Sequence, residues 1–264
     1  MNISGSRIIL TGAAGGIGSQ LALQLSKKGA KLILVEINEE KLNSLVKEIR
    51  KQDGIATPVL IDHANPRGQE AVVETAIQAF GGIDMLINNA GVLSFCEFAK
   101  QPQDEIERMI QANIAGPLLL TRAVLPHLLR NNSGKIVNIG STFGSIGFGH
   151  FSVYSATKFA LRGFSEALRR ELDHTKIGVC YVAPRATKTA LNTSAVIQLN
   201  EKTGVAMDDP GDVATLIIGA IEQDRKDCYL GWPEKFFVRL NGLLPRIVDS
   251  ALKKNNVVAR ELVK

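Results

Sequence analysis

The sequence is poor in the features that mark secreted, metal-binding and membrane-spanning proteins. It has three cysteines, Cys96, Cys180 and Cys228, which are far apart, and it has neither a Cys-x-x-Cys motif nor two histidines at the spacing of metal ligands. No apolar run is long enough to cross a bilayer, and no signal-peptide core precedes a small-residue cleavage site. We therefore expect a reduced, metal-free protein located in the cytoplasm.

The charge pattern also argues against some functions. The chain carries 31 Lys and Arg against 26 Asp and Glu, a net charge of +5, but the charged residues are spread along the sequence instead of forming blocks. This pattern does not favour nucleic acid as a partner and fits a solvated exterior, a phosphorylated cofactor or an anionic surface. With 45% apolar and 22% charged residues and no linker or repeat, residues 1–264 fit one globular domain.

Short apolar runs alternate with longer segments of helical period, a pattern typical of βαβ units in a parallel sheet. The pattern predicts strands at 7–10, 31–36, 56–61, 85–88, 135–139, 178–183 and 228–230. It predicts helices at 16–28, 39–51, 68–80, 152–174 and 210–223, with a further pair across 104–130. The expected fold is an α/β, doubly wound sheet of about seven parallel strands with helices on both faces.

Two loops interrupt this alternation, the glycine-rich segment 140–149 and the polar segment 185–209. Both follow predicted strands, and ligands bind at the carboxyl ends of the strands in such sheets. The second segment is long enough to be a substrate loop or mobile lid, although an ordinary surface loop has the same composition.

Tyr154 and Lys158 are the residues most suggestive of chemistry. Four residues apart on a predicted helix, they lie on one face, where an ammonium group lowers the pKa of a neighbouring phenol. Such a pair transfers protons. A buried core aromatic is the alternative interpretation of Tyr154.

A glycine-rich turn follows the first predicted strand, with Gly12, Gly16 and Gly18 in a Gly-x-x-x-Gly-x-Gly pattern. Glycines in such a turn let backbone amides approach a pyrophosphate and aim a helix N-terminus at its charge, although they also serve tight turns. Together with the Tyr–Lys pair, the turn suggests hydride transfer.

Glu36 ends the second predicted strand, eighteen residues after Gly18, where an acidic side chain accepts hydrogen bonds from the adenosine ribose. It would repel a 2′-phosphate, and no Lys or Arg stands at Gly15 or Ile37 to neutralise one. NAD(H) is therefore favoured over NADP(H). The alternative is that Glu36 merely precedes a helix capped by Asn38.

Several motifs in order resemble the short-chain dehydrogenase/reductase family, of the Tyr-x-x-x-Lys type, over nearly the whole chain. They are the glycine turn after Thr11, the run Asn88-Asn89-Ala90-Gly91, Asn113, Ser141 thirteen residues before Tyr154, and the segment from Pro184 to Thr189. The resemblance implies a Rossmann-type fold and an oxidoreductase that interconverts alcohols and ketones with NAD or NADP.

The resemblance also implies a role for each catalytic residue. Tyr154 would be the general acid/base, Lys158 would hold the phenol partly ionised and bind the nicotinamide ribose, and Ser141 would hydrogen-bond the substrate oxygen. Asn113 resembles the family residue that holds a water linking Lys158 to solvent. The cofactor contacts implied, besides Tyr154 and Lys158, are Gly12, Gly15, Gly16, Ile17, Gly18, Glu36, Asp62, Asn89, Ala90, Gly91, Pro184, Thr187 and Thr189.

Some of these positions have a second interpretation or depart from the family. Asp62 is almost as well explained as a turn-forming residue, and Asn88 as a structural brace. Arg185 stands where the family commonly has Gly, Thr187 where it has a branched apolar residue, and His63 where an apolar residue usually follows Asp62.

The segment 232–254 is amphipathic and basic. It could lie on a membrane surface, cover an apolar substrate channel, pack against a sister subunit or pack on its own domain. Gly242 and Pro245 argue against one unbroken helix.

The run 154–168 is similar to family members that act on lipid-like alcohols and ketones, so we expect an apolar substrate. By the same resemblance, helices around 104–130 and 152–174 would pair across subunits in a homodimer or homotetramer. Two other functions are less favoured: a dinucleotide-binding sensor or scaffold without turnover, and an epimerase or dehydratase acting on nucleotide sugars, which usually has a larger C-terminal region.

Overall fold

The strands of a central parallel sheet alternate with helices along the chain. The computed structural model describes residues 2–63 and 68–263. Within these residues seven strands form one sheet: β1 (Arg7–Thr11), β2 (Lys31–Glu36), β3 (Ile55–Leu60), β4 (Met85–Asn88), β5 (Gly134–Ile139), β6 (Ile177–Ala183) and β7 (Asp227–Tyr229). The predicted seven-stranded α/β fold of Rossmann type is confirmed.

The strands pair in the order β3-β2-β1-β4-β5-β6-β7, and every neighbouring pair is parallel. The chain winds outward from β1 in one direction and from β4 in the other, so the order reverses between these two strands. A crevice opens at the carboxyl ends of strands at such a reversal. The loops after β1 and β4 carry the predicted cofactor residues and meet there.

The helices are α1 (Gly16–Lys27), α2 (Glu39–Lys51), α3 (Gln69–Phe80), α4 (Gln103–Ile110), α5 (Gly116–Asn131), α6 (Ser152–Glu171), α7 (Ser194–Thr203), α8 (Pro210–Glu222), α9 (Glu234–Leu243) and α10 (Pro245–Leu262). The side chains of α1, α2 and α8 bury one face of the sheet, and those of α3, α5 and α6 bury the other. The apolar runs of the strands are buried on both sides because helices cover both faces.

A π-helical turn, Gln111–Ala115, joins α4 to α5, so the predicted helix pair is one continuous helical segment. Turns of this kind insert one extra residue per turn and frequently occur at functional sites. Here the turn carries Asn113.

Helix α7 lies within the segment 185–209, which the sequence pattern predicts as a loop. Its capping signals are present in the sequence: the Thr193 hydroxyl accepts a hydrogen bond from the Val196 amide at 3.4 Å, and Gly204 ends the helix in the left-handed conformation. The sequence pattern nevertheless predicts a loop because the segment as a whole is polar.

The C-terminal segment forms α9 and α10, which break at Leu244 just before Pro245, as expected from Gly242 and Pro245. Helix α10 packs against α7 and joins a third apolar cluster with Met109, Phe151 and Tyr154. The part of the chain that the structure describes contains no helix that is long and apolar enough to cross a membrane.

Candidate active site

One large cavity, of about 710 Å³, lies at the carboxyl edge of the sheet. Its walls include the glycine loop after β1, the loops after β4, β5 and β6, the start of α6 and the C-terminal helices. All the predicted cofactor and catalytic residues except Asn113 line it: Gly12, Gly15, Gly16, Ile17, Gly18, Glu36, Asp62, Asn89, Ala90, Gly91, Ser141, Tyr154, Lys158, Pro184, Thr187 and Thr189.

The glycine loop is shaped to receive a ligand backbone or phosphate. Gly12 has φ +60°, and a methyl group on it would lie 2.8 Å from the Cα of Ala90, so only glycine fits this turn. A methyl group on Gly16 would collide with the side chain of Thr189. Helix α1 starts at Gly16 with no side-chain cap and no acidic residue in its first turn, which leaves its N-terminus suited to an anion.

The loop after β4 holds this turn in place. The side-chain amide of Asn89 donates to the carbonyl oxygens of Thr11 and Gly12, each at 3.0 Å. The Thr11 hydroxyl accepts from the backbone amides of Asn89 and Ala90, each at 3.0 Å. Asn89 thus braces the loop while it lines the cavity. No role was assigned to Thr11 from the sequence, although its position directly before Gly12 could have indicated one.

Asn88 faces away from the cavity and serves as a brace. Its amide donates to Asn138 at 2.8 Å and to Thr121 at 3.1 Å, and Asn138 donates to Ser165 at 2.8 Å. This buried polar network joins β4 and β5 to α5 and α6, which sets α6 and its catalytic residues against the sheet.

The Glu36 carboxylate lies at the same end of the cavity. It accepts a hydrogen bond from the Ala14 amide of the glycine loop at 3.0 Å and from the Ile37 amide at 2.9 Å. Asn38 caps α2 by accepting from the Lys41 amide at 2.9 Å. Asn38 therefore caps α2 as the alternative interpretation expected, and Glu36 supports the glycine loop, while its contact with a ribose stays a prediction. Asp62 lies at the rim beside His63.

Tyr154 and Lys158 lie one turn apart near the start of α6, with the Lys158 ammonium 5.7 Å from the centre of the Tyr154 ring. Burial raises the pKa of Tyr154 to about 12, while hydrogen bonding with Ser141 acts in the opposite direction. Burial lowers the pKa of Lys158 to about 8. The expectation of a phenol with a lowered pKa is thus wrong for the cofactor-free protein, because desolvation outweighs the hydrogen bond with Ser141.

Ser141 lies opposite Tyr154 at the end of β5. The buried Tyr181 hydroxyl, on β6, accepts from the Ser141 amide at 3.4 Å and donates to the Ser141 carbonyl at 3.2 Å. Gly140 and Gly144 leave room for the Tyr181 ring, and a side chain at either would collide with it. Tyr181 therefore positions Ser141, although nothing in the sequence marked it beyond a polar aromatic residue in a buried strand.

Asn113 lies behind the cavity wall and is fully buried. Its side chain accepts from the Val92 amide at 2.8 Å and donates to the Val92 carbonyl at 2.9 Å and to Thr157 at 3.1 Å. A methyl group on the intervening Gly91 would lie 3.2 Å from Asn113 Oδ1 and 3.5 Å from Lys158 Nζ. Asn113 thus fixes the loop after β4 against α6, beside the lysine.

The rest of the cavity is mainly apolar and extends under the C-terminal helices. Phe143 and Phe148 stack, and Phe151 packs against both at an angle, to form an aromatic wall. Helices α9 and α10 supply the roof with Phe237, Val248 and Leu252. Of the four interpretations of the C-terminal segment, the structure shows two, a cover for an apolar cavity and packing on its own domain. Sequence reasoning identified the segment but not which of its residues face inward.

Arg185, which stands where the family commonly has Gly, is held by two acidic side chains. Its guanidinium makes a bidentate salt bridge to Asp208, at 2.8 and 2.7 Å, and contacts Glu234 at 3.5 Å and the Trp232 carbonyl at 3.4 Å. Thr187 donates to the Arg185 carbonyl at 3.0 Å and is buried. The two departures from the family pattern therefore belong to one structure that ties the end of β6 to α9.

In residues 2–63 and 68–263, no three His, Cys, Asp or Glu side chains form a group that could hold a metal ion.

Known proteins were compared with this chain. A sequence model of the family described as short chain dehydrogenase matches residues 6–200. The oxidoreductase YxnA of Bacillus subtilis is 33% identical over 94% of this chain and 71% of its own length. Dehydrogenase/reductase SDR family member 7B of Bos taurus is also 33% identical, over 86% of this chain and 73% of its own.

Two solved structures have the same fold. A short-chain dehydrogenase from Streptomyces avermitilis is 27% identical, with a TM-score of 0.80 over 98% of this chain and 99% of its own. A short-chain dehydrogenase/reductase from Burkholderia phymatum in complex with NAD, 24% identical, has a TM-score of 0.86 over 94% of this chain and 96% of its own. The chain therefore belongs to the short-chain dehydrogenase/reductase family of oxidoreductases.

Proposed function

We propose that this oxidoreductase interconverts a secondary alcohol and a ketone of an apolar, lipid-like substrate with NAD(H). The observation that carries the proposal is the placement of Ser141, Tyr154 and Lys158 in one cavity that is continuous with an uncapped helix N-terminus and a glycine loop. The family uses nicotinamide dinucleotides, and the loop and helix end have the shape and charge for the pyrophosphate of such a molecule.

The side chains supply proton transfer and charge stabilisation. In ketone reduction the Tyr154 phenol donates its proton to the substrate oxygen, and in alcohol oxidation the phenolate removes it. The Ser141 hydroxyl donates a hydrogen bond to the same oxygen and stabilises its developing negative charge. A nicotinamide dinucleotide bound in this cavity would supply or accept the hydride.

Lys158 controls the charge on the phenol. The pKa of about 12 for Tyr154 keeps it protonated at neutral pH, ready to act as an acid. Lys158, with a pKa of about 8, is largely protonated at neutral pH, and its cation favours the phenolate that oxidation requires. The Lys158 ammonium also donates to the Ile139 carbonyl at 3.2 Å, which fixes its position beside the cavity.

Glu36 supports NAD(H) over NADP(H). Its carboxylate points at the glycine loop, and the nearby positions Gly15 and Ile37 carry no cation. A ribose hydroxyl can donate to a carboxylate, whereas a 2′-phosphate is repelled by it. Solved relatives include one protein in complex with NAD and another in complex with NADP, so the preference rests on this chain's own residues.

The cavity walls support an apolar substrate. Beyond the catalytic residues the lining is aromatic and aliphatic, from Phe143 and Phe148 to Val196, Leu199 and Phe237. Pockets of this kind bind ligands mainly through burial, with a few polar groups fixing their orientation. The polar segment 185–209, with α7, forms one side of this region and is the proposed lid.

We further propose a homodimer or homotetramer that uses the outer faces of α5 and α6, which expose Leu129 and Phe159. The three free thiols, Cys96, Cys180 and Cys228, support a cytoplasmic location.

Turnover and NADH binding, measured on variants of Tyr154 and Tyr229, test the proposed reaction. The Tyr154→Phe variant should lose about 10² to 10⁴-fold in turnover while it still binds NADH, because the proton donor is removed but the glycine loop and helix N-terminus that receive the pyrophosphate are kept. Tyr229→Phe, which removes a hydroxyl outside the cavity, is the matched control and should keep its activity. Turnover that is insensitive to Tyr154→Phe would favour a sensor or scaffold over an enzyme.

Fluorescence titration tests the cofactor. NADH should bind more tightly than NADPH to the unmodified protein, and Glu36→Gln should reduce this preference about tenfold, since it removes the charge that repels the phosphate. Tighter binding of NADPH by the unmodified protein would show that Glu36 does not select the cofactor.

A further inference from the structure

A second cavity, of about 660 Å³, opens between α6, β7 and α9 and is lined mainly by cations. We refer to it as the basic cleft. Its charged residues are Arg162, Glu166, Arg169, Arg170, Arg225, Asp227, Lys235 and Arg239, six cations against two carboxylates. The proposed oxidoreductase reaction makes no use of this cleft.

The two carboxylates are already paired. Arg169 binds Asp227 at 2.9 Å, and Arg170 binds Glu166 one helical turn away. The other four cations have no carboxylate partner in the described part of the chain: Arg162 donates to Ser145 at 3.0 Å, Arg225 donates to Gln223 at 2.9 Å, and Lys235 and Arg239 have no hydrogen-bond partner there. The basic cleft thus has uncompensated positive charge, which attracts an anion.

An exposed apolar surface lies on the segment that contains α9 and the start of α10, next to the basic cleft. Trp232, Phe236, Leu243, Leu244 and Ile247 are 70%, 50%, 81%, 52% and 52% exposed, and we call them the apolar ridge. Trp232 precedes α9, and its ring lies 6.4 Å from the ring of Phe236. Leu243 ends α9 seven residues after Phe236, on the same side of the helix, and Leu244 and Ile247 follow at the break and in the first turn of α10. Lys235 and Arg246 each precede a ridge residue by one position, and Arg239 lies one helical turn after Lys235 on α9, so cations lie next to the ridge.

The opposite face of this helical pair roofs the large cavity. Phe237 on α9 and Val248 and Leu252 on α10 point into it, whereas Phe236 and Ile247, one residue earlier in each case, are exposed. The ridge and the substrate cavity are therefore separated by the thickness of one helix layer.

From these observations we propose that the apolar ridge and the basic cleft form a docking surface for an anionic lipid bilayer. The ridge side chains enter the interface between headgroups and acyl chains, and the cations of the cleft and its flank bind lipid phosphates. Large apolar side chains flanked by Lys and Arg have the composition of helices that lie in this interface. If the substrate is lipid-like, as proposed above, docking brings the roof of its cavity to the phase in which it dissolves.

A second copy of the chain fits the ridge less well. In a two-fold dimer the same patch faces itself, so Lys235, Arg239 and Arg246 would be brought towards their own copies. Two carboxylates lie beside the ridge, Glu234, which already contacts Arg185, and the exposed Asp249, so the three cations outnumber the carboxylate that could compensate them. A bilayer that carries negative lipids supplies both the apolar phase and the opposite charge.

Trp232 is the only tryptophan of the chain, so its fluorescence reports on the ridge directly. The purified protein, without cofactor or substrate, is mixed with vesicles of phosphatidylcholine alone or with added phosphatidylserine. Vesicles that contain phosphatidylserine should shift the Trp232 emission to shorter wavelength, and the protein should cosediment with them. Added salt should weaken this binding. Vesicles of phosphatidylcholine alone should do neither to a comparable extent.

Variants with matched controls separate the two parts of the surface. Removing two cations with Lys235→Gln and Arg239→Gln should weaken binding roughly 30-fold, because each cation near an anionic surface contributes roughly fivefold. Lys41→Gln with Lys51→Gln, on α2, changes the net charge equally and should have little effect. Phe236→Ser should weaken binding, whereas Phe98→Ser, at an equally exposed site elsewhere, should not.

Three outcomes would overturn the proposal. Equal loss in the Lys41/Lys51 double variant would mean non-specific attraction to the whole protein. Binding of glycerol 3-phosphate to the basic cleft, without vesicle binding, would identify a site for a free phosphorylated anion. A Trp232 shift that grows with protein concentration in the absence of lipid would assign the ridge to a second copy. Because no turnover is measured, failure of the proposed reaction leaves these results unchanged.

Discussion

At the residue scale, burial governs the proton chemistry of the site more than the pairing of charges does. Tyr154 and Lys158 share one face of α6, yet burial raises the pKa of the phenol to about 12 and lowers the pKa of the ammonium to about 8. Desolvation favours the neutral form of each group, so the two shifts have opposite directions. The site is therefore set for donating a proton, and oxidation requires a further positive charge in the cavity.

This distribution of charge predicts how Tyr154 titrates. In the cofactor-free protein the tyrosinate absorbance that is lost in Tyr154→Phe should develop near pH 12 and not near pH 10. Adding NAD⁺ should lower the midpoint, since its positively charged ring favours the phenolate. The measurement is an ultraviolet difference titration between the two proteins, and a midpoint below 10 without cofactor would contradict it.

His63 is a second buried group with a strong shift. It is 7% exposed, neither ring nitrogen has a hydrogen-bond partner among the residues that the structure describes, and burial lowers its pKa to about 4 despite the opposing charge of Asp62. Because the folded-state pKa lies below that of the unfolded chain, near 6.5, the protein keeps this part of its stability above pH 6.5 and loses it as pH falls through 4. The loss amounts to about 3 kcal/mol at most.

Replacing His63 by Leu should therefore flatten the decline of unfolding free energy between pH 6.5 and 4. Urea denaturation at several pH values measures the effect. His174→Leu, which removes an exposed histidine, should leave the decline as it is in the unmodified protein. An unchanged decline in His63→Leu would mean that His63 is protonated in the folded state without cost.

At the element scale, the strands were predicted more accurately than the connections. Each predicted strand is within one residue of the observed one at either end, because a strand buried on both faces has a continuous apolar run that propensity alone identifies. Helix α7 was missed because its apolar residues are few, and its packing against α10 is a tertiary contact. The π-turn at Gln111–Ala115 depends on Asn113 binding Val92, which no local pattern encodes.

The residues of the candidate site were, like the secondary structure, predictable only in part. Residues in motifs, such as Gly12, Ser141 and Tyr154, lie in the large cavity, because the order of parallel strands brings loop ends together at one edge. Tyr181 and the roof residues Phe237 and Val248 could not be found, since their contacts join segments far apart in sequence.

Arg185 illustrates how one residue couples several elements. It links the end of β6 to Asp208, which precedes α8, and to Glu234 at the start of α9. Arg185→Ala should therefore increase local opening of segment 186–208 and α9 roughly tenfold or more, because a bidentate charged pair is lost. Hydrogen–deuterium exchange measures this as faster uptake in those two segments and unchanged uptake in β1, β4 and β5.

Two comparisons make the Arg185 result specific. Arg185→Lys keeps the charge without the fork geometry and should give an intermediate effect. Arg169→Ala breaks the salt bridge to Asp227 and should leave segment 186–208 unaffected. Equal exchange in Arg185→Ala and the unmodified protein would mean that apolar packing alone holds the roof.

At the scale of the whole molecule, the two halves of the sheet meet at β1 and β4, and Arg7 and Asp84 join them. The Arg7 side chain donates to Asp84 at 2.8 and 2.6 Å, and its backbone amide donates at 2.8 Å. Burial alone would raise the pKa of Asp84, but hydrogen bonds and charge attraction from Arg7 outweigh it and hold the pKa below its ordinary value. The pair thus stabilises the amino end of the seam between β1 and β4, opposite the carboxyl end at which the cofactor crevice opens.

Asp84→Asn should lower the free energy of unfolding by about 1 to 2 kcal/mol at pH 7, since a charged hydrogen-bond network with a partly buried arginine is broken. A lowered folded-state pKa means that the contribution is present above the unfolded value, near 4, and is lost as pH falls through the folded value. The difference between the variant and the unmodified protein in urea denaturation should therefore shrink below about pH 4. Asp173→Asn, at an exposed position, should show no difference at either pH, and a gap that persists in acid would mean that Asp84 acts by packing and not by its charge.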